Sequence, residues 1–383
     1  MPYYLIQGTG KHMKKNIRKV FNISDPYNID KSNSSFLAAL KEIGEDFYKK
    51  SDTYKNIINS YQFQFSDLKS IEDISKIPPI PTAYFKRNNC SIDYSSVIEV
   101  TSSGTSGKAS RVSYSFFDLF QMLKMSIFIG LKHKLFSLKS THYVILGYQP
   151  TKENQMVISK TAYLSTLYAL PISRRYALNY KKGGYQLDLD ALIERLVHLS
   201  KQKLPVRIVG FPSYTYFLLD EMEKRNQLAI LPKGSKILFG GGWKQFSGDE
   251  VSKEEMNQKI ERVLGIKKEE VLEFFGAAEH PVLYHSCKNH HFHVPTYARI
   301  IIRDVKTLEP VDYGEVGLLN LITPVHSSIP LMSILTDDLA VLRKGSECGC
   351  GIQSDTVEIL GRVGVQDVKT CSAGAKEYLD GGK

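Results

Sequence analysis

Between residues 97 and 275 short runs of β-branched and aromatic residues alternate with longer amphipathic stretches, and this alternation limits the possible folds more than any other feature. Residues 97–100, 143–146, 206–209, 236–239 and 271–275 read as strands, while 116–131, 189–198 and 253–264 read as helices. Two parallel strands need a crossover of a dozen or more residues, which an intervening helix supplies. The expected class is therefore α/β, with a largely parallel sheet flanked by helices.

Both flanks differ from this pattern. The first 80 residues read as mostly helical, with apolar positions Phe36, Leu37, Leu40, Ile43 and Phe47 on one helical face, and they end in the loop Pro78-Pro79-Ile80-Pro81. Beyond Pro281 the runs shorten to 298–302, 316–322 and 339–342, separated by Gly, Pro and Asp, which predicts a smaller antiparallel or barrel-like region.

A 383-residue chain with 42% hydrophobic residues can bury a large core, so disorder is not expected. The net charge of +10 is spread along the chain without a basic block, a pattern that favours a solvated surface attracting anionic small molecules over nucleic acid. Five cysteines, an odd number, argue against a secreted disulfide framework and for reduced thiols, metal ligands or a nucleophile. With no signal-peptide core and no membrane-length apolar run, a cytoplasmic protein is expected.

The segment Thr101-Ser102-Ser103-Gly104-Thr105-Ser106-Gly107-Lys108 lies between a predicted strand and a predicted helix. Small residues there let backbone N–H groups and hydroxyls surround an anion, and the lysine adds positive charge. It is not a Walker A loop, because Ser102 stands where that pattern needs glycine. A plain Ser/Gly linker is the structural alternative.

Ser103–Lys108 resembles the phosphate-binding signature of the adenylate-forming superfamily of acyl-CoA synthetases and luciferases, and further motifs of that superfamily follow in order. Gly240-Gly241-Gly242-Trp243-Lys244 resembles its glycine turn beside adenine. Phe275-Gly276-Ala277-Ala278-Glu279 resembles its aromatic-Gly-x-x-Glu motif, which implies an aromatic on the adenine and Glu279 on Mg²⁺. Gly314-Glu315-Val316-Gly317, Thr323-Pro324 and Thr336-Asp337-Asp338-Leu339 resemble the segment whose aspartate, here Asp338, holds the ribose hydroxyls. Gly361-Arg362 resembles the hinge before the mobile carboxy-terminal domain.

Within the superfamily, Gly240–Lys244 and Phe292-His293-Val294-Pro295 resemble the LuxE acyl-protein synthetases, with phenylacetate-CoA ligases as more distant relatives. The resemblance implies an adenylate-forming large domain at 81–360, its β-rich part at about 281–360, preceded by a helical segment at 1–80. The arm at 361–383 is much shorter than the roughly hundred-residue module that usually follows the hinge. A mobile tail would stand in its place, and adenylation would rely on Lys108 and the metal.

The implied reaction forms an acyl-AMP from ATP, Mg²⁺ and a carboxylic, in this family fatty, acid. The acyl group then passes to a cysteine thiol and on to a reductase or carrier. Cys371, near the carboxy terminus, matches the acceptor cysteine of that family; a thiolate is a strong nucleophile and its thioester stays reactive. The competing readings are an acyl-CoA ligase using free coenzyme A and a non-catalytic acyl- or nucleotide-binding protein.

A second cluster concerns metal. Cys287, His293, Cys348 and Cys350 offer three sulfurs and an imidazole to a tetrahedral, structural Zn²⁺; His290 and His291 compete with His293, and unliganded thiols are the alternative. His280 stands as a candidate base or pocket residue, and Phe211, Tyr214 and Trp243 as candidate walls of an acyl pocket.

Overall fold

The computed structural model describes residues 10–87, 98–101, 111–151, 157–181, 184–241, 251–326 and 329–362. Its strands, in chain order, are β1 (Ile80–Pro81), β2 (Ile98–Thr101), β3 (Arg111–Tyr114), β4 (Ser137–Tyr148), β5 (Ala169–Lys181), β6 (Gly184–Leu187), β7 (Val206–Gly210) and β8 (Lys236–Gly240). They continue with β9 (Val271–Ala277), β10 (His280–His285), β11 (Phe292–His293), β12 (Arg299–Arg303), β13 (Val316–Ile322), β14 (Ser333–Arg343) and β15 (Thr356–Arg362). The chain divides into two compact units, one built on Met1–Ile129, Ala277–Tyr284 and His291–Lys383, the other on Gly130–Gly276 and His285–His290.

The second unit carries the expected parallel sheet. Within this unit its order is β9-β8-β7-β4-β5-β6. The pairs β4–β5, β4–β7, β7–β8 and β8–β9 are parallel, and β6 returns antiparallel to β5. Leu192, Leu196, Leu219, Met222 and Val263 from the crossover helices pack with Val144, Ile208 and Ile237 in one buried cluster. The helix Lys253–Leu264 begins where expected because Ser252 accepts a hydrogen bond from the Glu255 amide, and it ends where Gly265 turns left-handed at φ 67°.

The sequence pattern misses β5. Ser173, Arg174, Arg175 and Asn179 break its apolar run, and only part of the strand is buried. Those polar groups have partners that a one-dimensional pattern does not reveal: Ser173 Oγ lies 2.7 Å from His142 Nδ1, and Arg175 pairs with Asp188 at 3.4 Å.

The first unit carries the predicted antiparallel region, a sheet of order β11-β15-β14-β13-β12 with β1 running parallel to β14. The helix Ile29–Lys50 buries Phe36, Leu40, Ile43 and Phe47, as its periodicity predicts. Arg299 is buried in this unit, where its Nη2 donates to Ser32 Oγ at 2.8 Å and to Asn33 Oδ1 at 2.6 Å. Arg303 Nε likewise donates to Asn320 Oδ1 at 2.9 Å. Such buried cations need this many partners to offset lost hydration.

One local expectation changes. The Ser/Gly segment does not run from a strand straight into a helix: β2 and β3 are antiparallel, with Thr101 opposite Arg111, and the helix starts only at Phe116. Apolar Val112 and Tyr114 make β3 a strand of its own, too short to stand out in the pattern. Among the described residues no helix is long and apolar enough to cross a membrane.

Candidate active site

In the parallel sheet the connection from β4 leads to β5 on one side, while β7, β8 and β9 extend on the other. The carboxyl ends of β4 and β7 therefore flank a topological switch point, where open α/β sheets bind ligands. A small pocket, open to solvent, lies there, lined among others by Gly147, Tyr148, Ser159, Ser165, Phe211 and Phe274. Glycine is required at Gly210, since a Cβ there would meet the Leu146 carbonyl oxygen at 2.5 Å.

Gly240 closes β8 and also lines the pocket, and Gly241 follows with φ 75°, a left-handed turn that suits glycine. On β9, Phe274 and Phe275 point to opposite faces of the strand. Phe274 is buried and lines the pocket, whereas Phe275 is half-buried and Gly276 exposed. The aromatic expected on the adenine is thus distinct from the pocket wall. Phe211 does line the pocket, while Tyr214 packs against the core and meets Phe211 edge-on at 5.3 Å.

In the other unit Glu279 occupies the connection from β9 to β10, after Ala277 and Ala278, and is only 4% exposed. The Tyr114 hydroxyl donates to the Ala278 carbonyl at 3.2 Å, and the His326 ring stacks on Tyr114 with centroids 5.2 Å apart. Burial pushes the Tyr114 phenol far above its usual range, and the carboxylates of Asp118 and Glu279 push it further. His280 shares a 3.0 Å hydrogen bond with the Tyr284 hydroxyl. Burial lowers both His280 and His326 to about 3, so both imidazoles are neutral at physiological pH. Tyr114 and His326 escaped the sequence reading, because only tertiary structure brings them to Glu279.

Asp338 is half-buried on β14, its amide donating to Thr336 Oγ1 at 3.1 Å. The residue opposite it on β15 is Arg362, so the expected ribose ligand and hinge residue share one rung of the ladder. A register shift follows immediately, between Leu339 and Ala340. Bulges of this kind re-aim side chains beside functional sites. Ser102, Ser103, Gly104, Thr105, Ser106, Gly107 and Lys108, together with Gly242, Trp243 and Cys371, lie outside the described residues.

The metal candidates converge. One ligand atom each from Cys287, His293, Cys348 and Cys350 lies within 4.8 Å of the others. Nε2 of His293 is 3.1 Å from Cys350 Sγ, and its Nδ1 is 2.7 Å from the Ser354 carbonyl oxygen. His291 Nδ1 approaches Cys348 Sγ at 3.3 Å.

Comparison with solved structures gives the class. The chain matches 2-hydroxyisobutyryl-CoA ligase, determined in complex with 2-HIB-AMP and CoA, with a TM-score of 0.67 at 16% identity, covering 88% of this chain and 71% of that one. The fold is that of the adenylate-forming ligases.

The family model for acyl-protein synthetase, LuxE, matches residues 15–379, and the chain belongs to that family of AMP-forming acid–thiol ligases. It is 25% identical over 332 residues to the long-chain-fatty-acid–luciferin-component ligase of Aliivibrio fischeri, covering 85% of this chain and 83% of that one. The protein of the same name from Vibrio harveyi is 24% identical over 305 residues, covering 79% and 78%.

Proposed function

We propose that this protein activates a fatty acid with ATP and transfers the acyl group to its own Cys371 for delivery to a partner reductase. The observation that carries the reading is the LuxE family match over residues 15–379. The apolar pocket at the switch point supports a hydrocarbon tail as the bound part of the acid, because such a pocket gains free energy from each methylene it desolvates.

A substrate carboxylate oxygen attacks the α-phosphorus of ATP, the α–β anhydride bond breaks, and pyrophosphate leaves. The Cys371 thiolate then attacks the acyl carbon; AMP departs with the former carboxyl oxygen, and the thiol proton passes to solvent. Lys108 and the N–H groups of Ser103–Gly107 hold the phosphates, Asp338 accepts hydrogen bonds from the ribose hydroxyls, and Phe275 covers the adenine beside the Gly240–Gly242 turn. Arg362 acts as the hinge. Glu279, a buried carboxylate, suits Mg²⁺, which supplies charge neutralisation on the phosphate oxygens when bound. Positioning and charge complementarity account for most of the rate in such a scheme.

Acid-dependent ATP–pyrophosphate exchange is expected with at least one acid of a panel running from acetate to stearate. Labelled acid plus ATP should give hydroxylamine-sensitive labelling of the wild-type chain but not of Cys371→Ser, with exchange intact in both. Absence of exchange across the panel overturns the activation step. Thioester labelling that persists in Cys371→Ser overturns the acceptor, and release of acyl-coenzyme A without labelled protein assigns that role to coenzyme A.

A further inference from the structure

The cluster of Cys287, His293, Cys348 and Cys350 has no part in adenylation, and nothing in the fold requires three sulfurs to gather around one imidazole. Buried cysteines usually scatter through a core as small apolar residues. Here Cys287 and Cys348 are buried, Cys350 is half-buried, and all three are free of disulfides. We propose that these four residues bind a single structural Zn²⁺.

The donor set comes first. Tetrahedral zinc with bonds of about 2.3 Å to sulfur and about 2.0 Å to nitrogen sets its ligands roughly 3.5–3.8 Å apart. The four ligand atoms already lie within 4.8 Å of one another, and His293 Nε2 is 3.1 Å from Cys350 Sγ. Side-chain adjustments of a fraction of an ångström to about an ångström would close the site.

The orientation of the imidazole is the second observation. His293 is fully buried, and its Nδ1 lies 2.7 Å from the Ser354 carbonyl oxygen, an acceptor only. Nδ1 must therefore carry the proton, which leaves the lone pair of Nε2 directed at the sulfurs. Fixing the tautomer through the far nitrogen is how proteins prepare histidine for a metal.

Backbone geometry provides the third. Cys348-Gly349-Cys350-Gly351 folds back on itself because Gly349 and Gly351 take φ of 68° and 99°, conformations costly for residues with a Cβ. Within the turn the Ile352 amide points at Cys350 Sγ at 3.4 Å, and in the β10–β11 connection the Asn289 amide points at Cys287 Sγ at 3.4 Å. Amide donors stabilise thiolates more than thiols, so both sulfurs are set in surroundings that favour the metal-binding form.

The placement suggests what the ion accomplishes. β11 is two residues long and joins the sheet only through Phe292 opposite Val357 and His293 opposite Thr356. Cys348 and Cys350 lie in the turn between β14 and β15, and β14 and β15 also carry Asp338 opposite Arg362. Zinc would pin the short strand to that turn and hold the β14–β15 register, supporting the nucleotide ligand from a distance without touching substrate.

Elemental analysis of full-length protein purified without chelator tests this. About one equivalent of zinc is expected, lost in both Cys350→Ser and His293→Ala but kept in His291→Ala, whose imidazole faces Cys348 from outside the donor set. Protein refolded with Co²⁺ alone should show intense visible bands of tetrahedral cobalt with sulfur-to-metal charge transfer, and removing zinc with a chelator should lower the melting temperature by several degrees. Less than about half an equivalent of zinc, with no cobalt bands on reconstitution, overturns the proposal. So does zinc that persists in His293→Ala and disappears in His291→Ala. If Cys350→Ser fails to fold, cobalt spectra of the wild type and of His291→Ala still decide.

Discussion

The pocket of the parallel sheet and the surroundings of Glu279 are lined by different kinds of groups. In the parallel sheet the carboxyl ends of the strands approach closely, glycine at Gly210 admits the Leu146 carbonyl, and the pocket wall is mostly backbone, aliphatic carbon and Phe274. In the antiparallel sheet and its neighbours, charged and hydrogen-bonding side chains are buried: Glu279, Arg299, Arg303, Asn320 and His326. A mostly apolar cavity recognises a ligand by volume, whereas buried carboxylates and imidazoles recognise it by charge and direction. Under the proposed function, tail recognition and phosphate chemistry fall to different parts of the chain, so their substitutions should separate kinetically.

The largest effect is expected from Glu279→Gln, which keeps the shape and removes the charge. Pyrophosphate exchange should fall by about 100-fold or more for every acid, the scale of losing one transition-state electrostatic partner. The Kd of the acid, measured without nucleotide, should hold. A loss that varies with acid length would break the division of labour. Gly147→Leu makes the complementary change. A Cβ at Gly147 meets nothing closer than Ile145 Cγ2 at 3.9 Å, so the first carbon of the new side chain is accommodated at the pocket wall. Long acids should lose about 0.8 kcal/mol of binding, roughly fourfold, for each methylene displaced, while the KM for ATP stays put. Equal weakening of short and long acids would remove the pocket from the acyl path.

How much of this was legible in the sequence follows the same contrast. The central strands β7 and β8 and the helix Lys253–Leu264 could be read directly, because uninterrupted apolar runs and a Ser-x-x-Glu cap are local signals. The motif order named Glu279 and Asp338 as candidates, and the Cys-Gly-Cys-Gly spacing named two of the sulfurs that the fold gathers with His293. What stayed hidden depends on pairing across the chain. The strand β5 was masked by arginines whose partners lie elsewhere, and Tyr114 reaches the Ala278–Glu279 turn only after more than 150 residues of intervening chain have folded. The pocket was invisible for the same reason: Gly147, Phe211 and Phe274 come from three strand ends that only the sheet order makes neighbours.

The smallest expected effect concerns pH and compares buried imidazoles in both units. His142, His280, His285 and His326 are all held below the ordinary histidine value, chiefly by burial. In His285, as in His326, neither ring nitrogen has a hydrogen-bond partner, and the His285 ring packs against Phe274 with centroids 4.4 Å apart. A group whose folded pKa is depressed binds protons only in the unfolded chain between the two pKa values, so stability is fully present above about 6.5 and is lost as pH falls. At pH 5.5 each such histidine should have cost up to about 1.4 kcal/mol relative to pH 7.5. Urea midpoints at those two pH values should therefore differ for the wild type. In His285→Phe, which keeps a ring against Phe274 and removes the proton site, the difference should shrink by about one histidine's share. An unchanged difference in that variant would mean that His285 takes up its proton in the folded protein as readily as in the unfolded chain, and that the apolar wall of the parallel sheet admits charge after all.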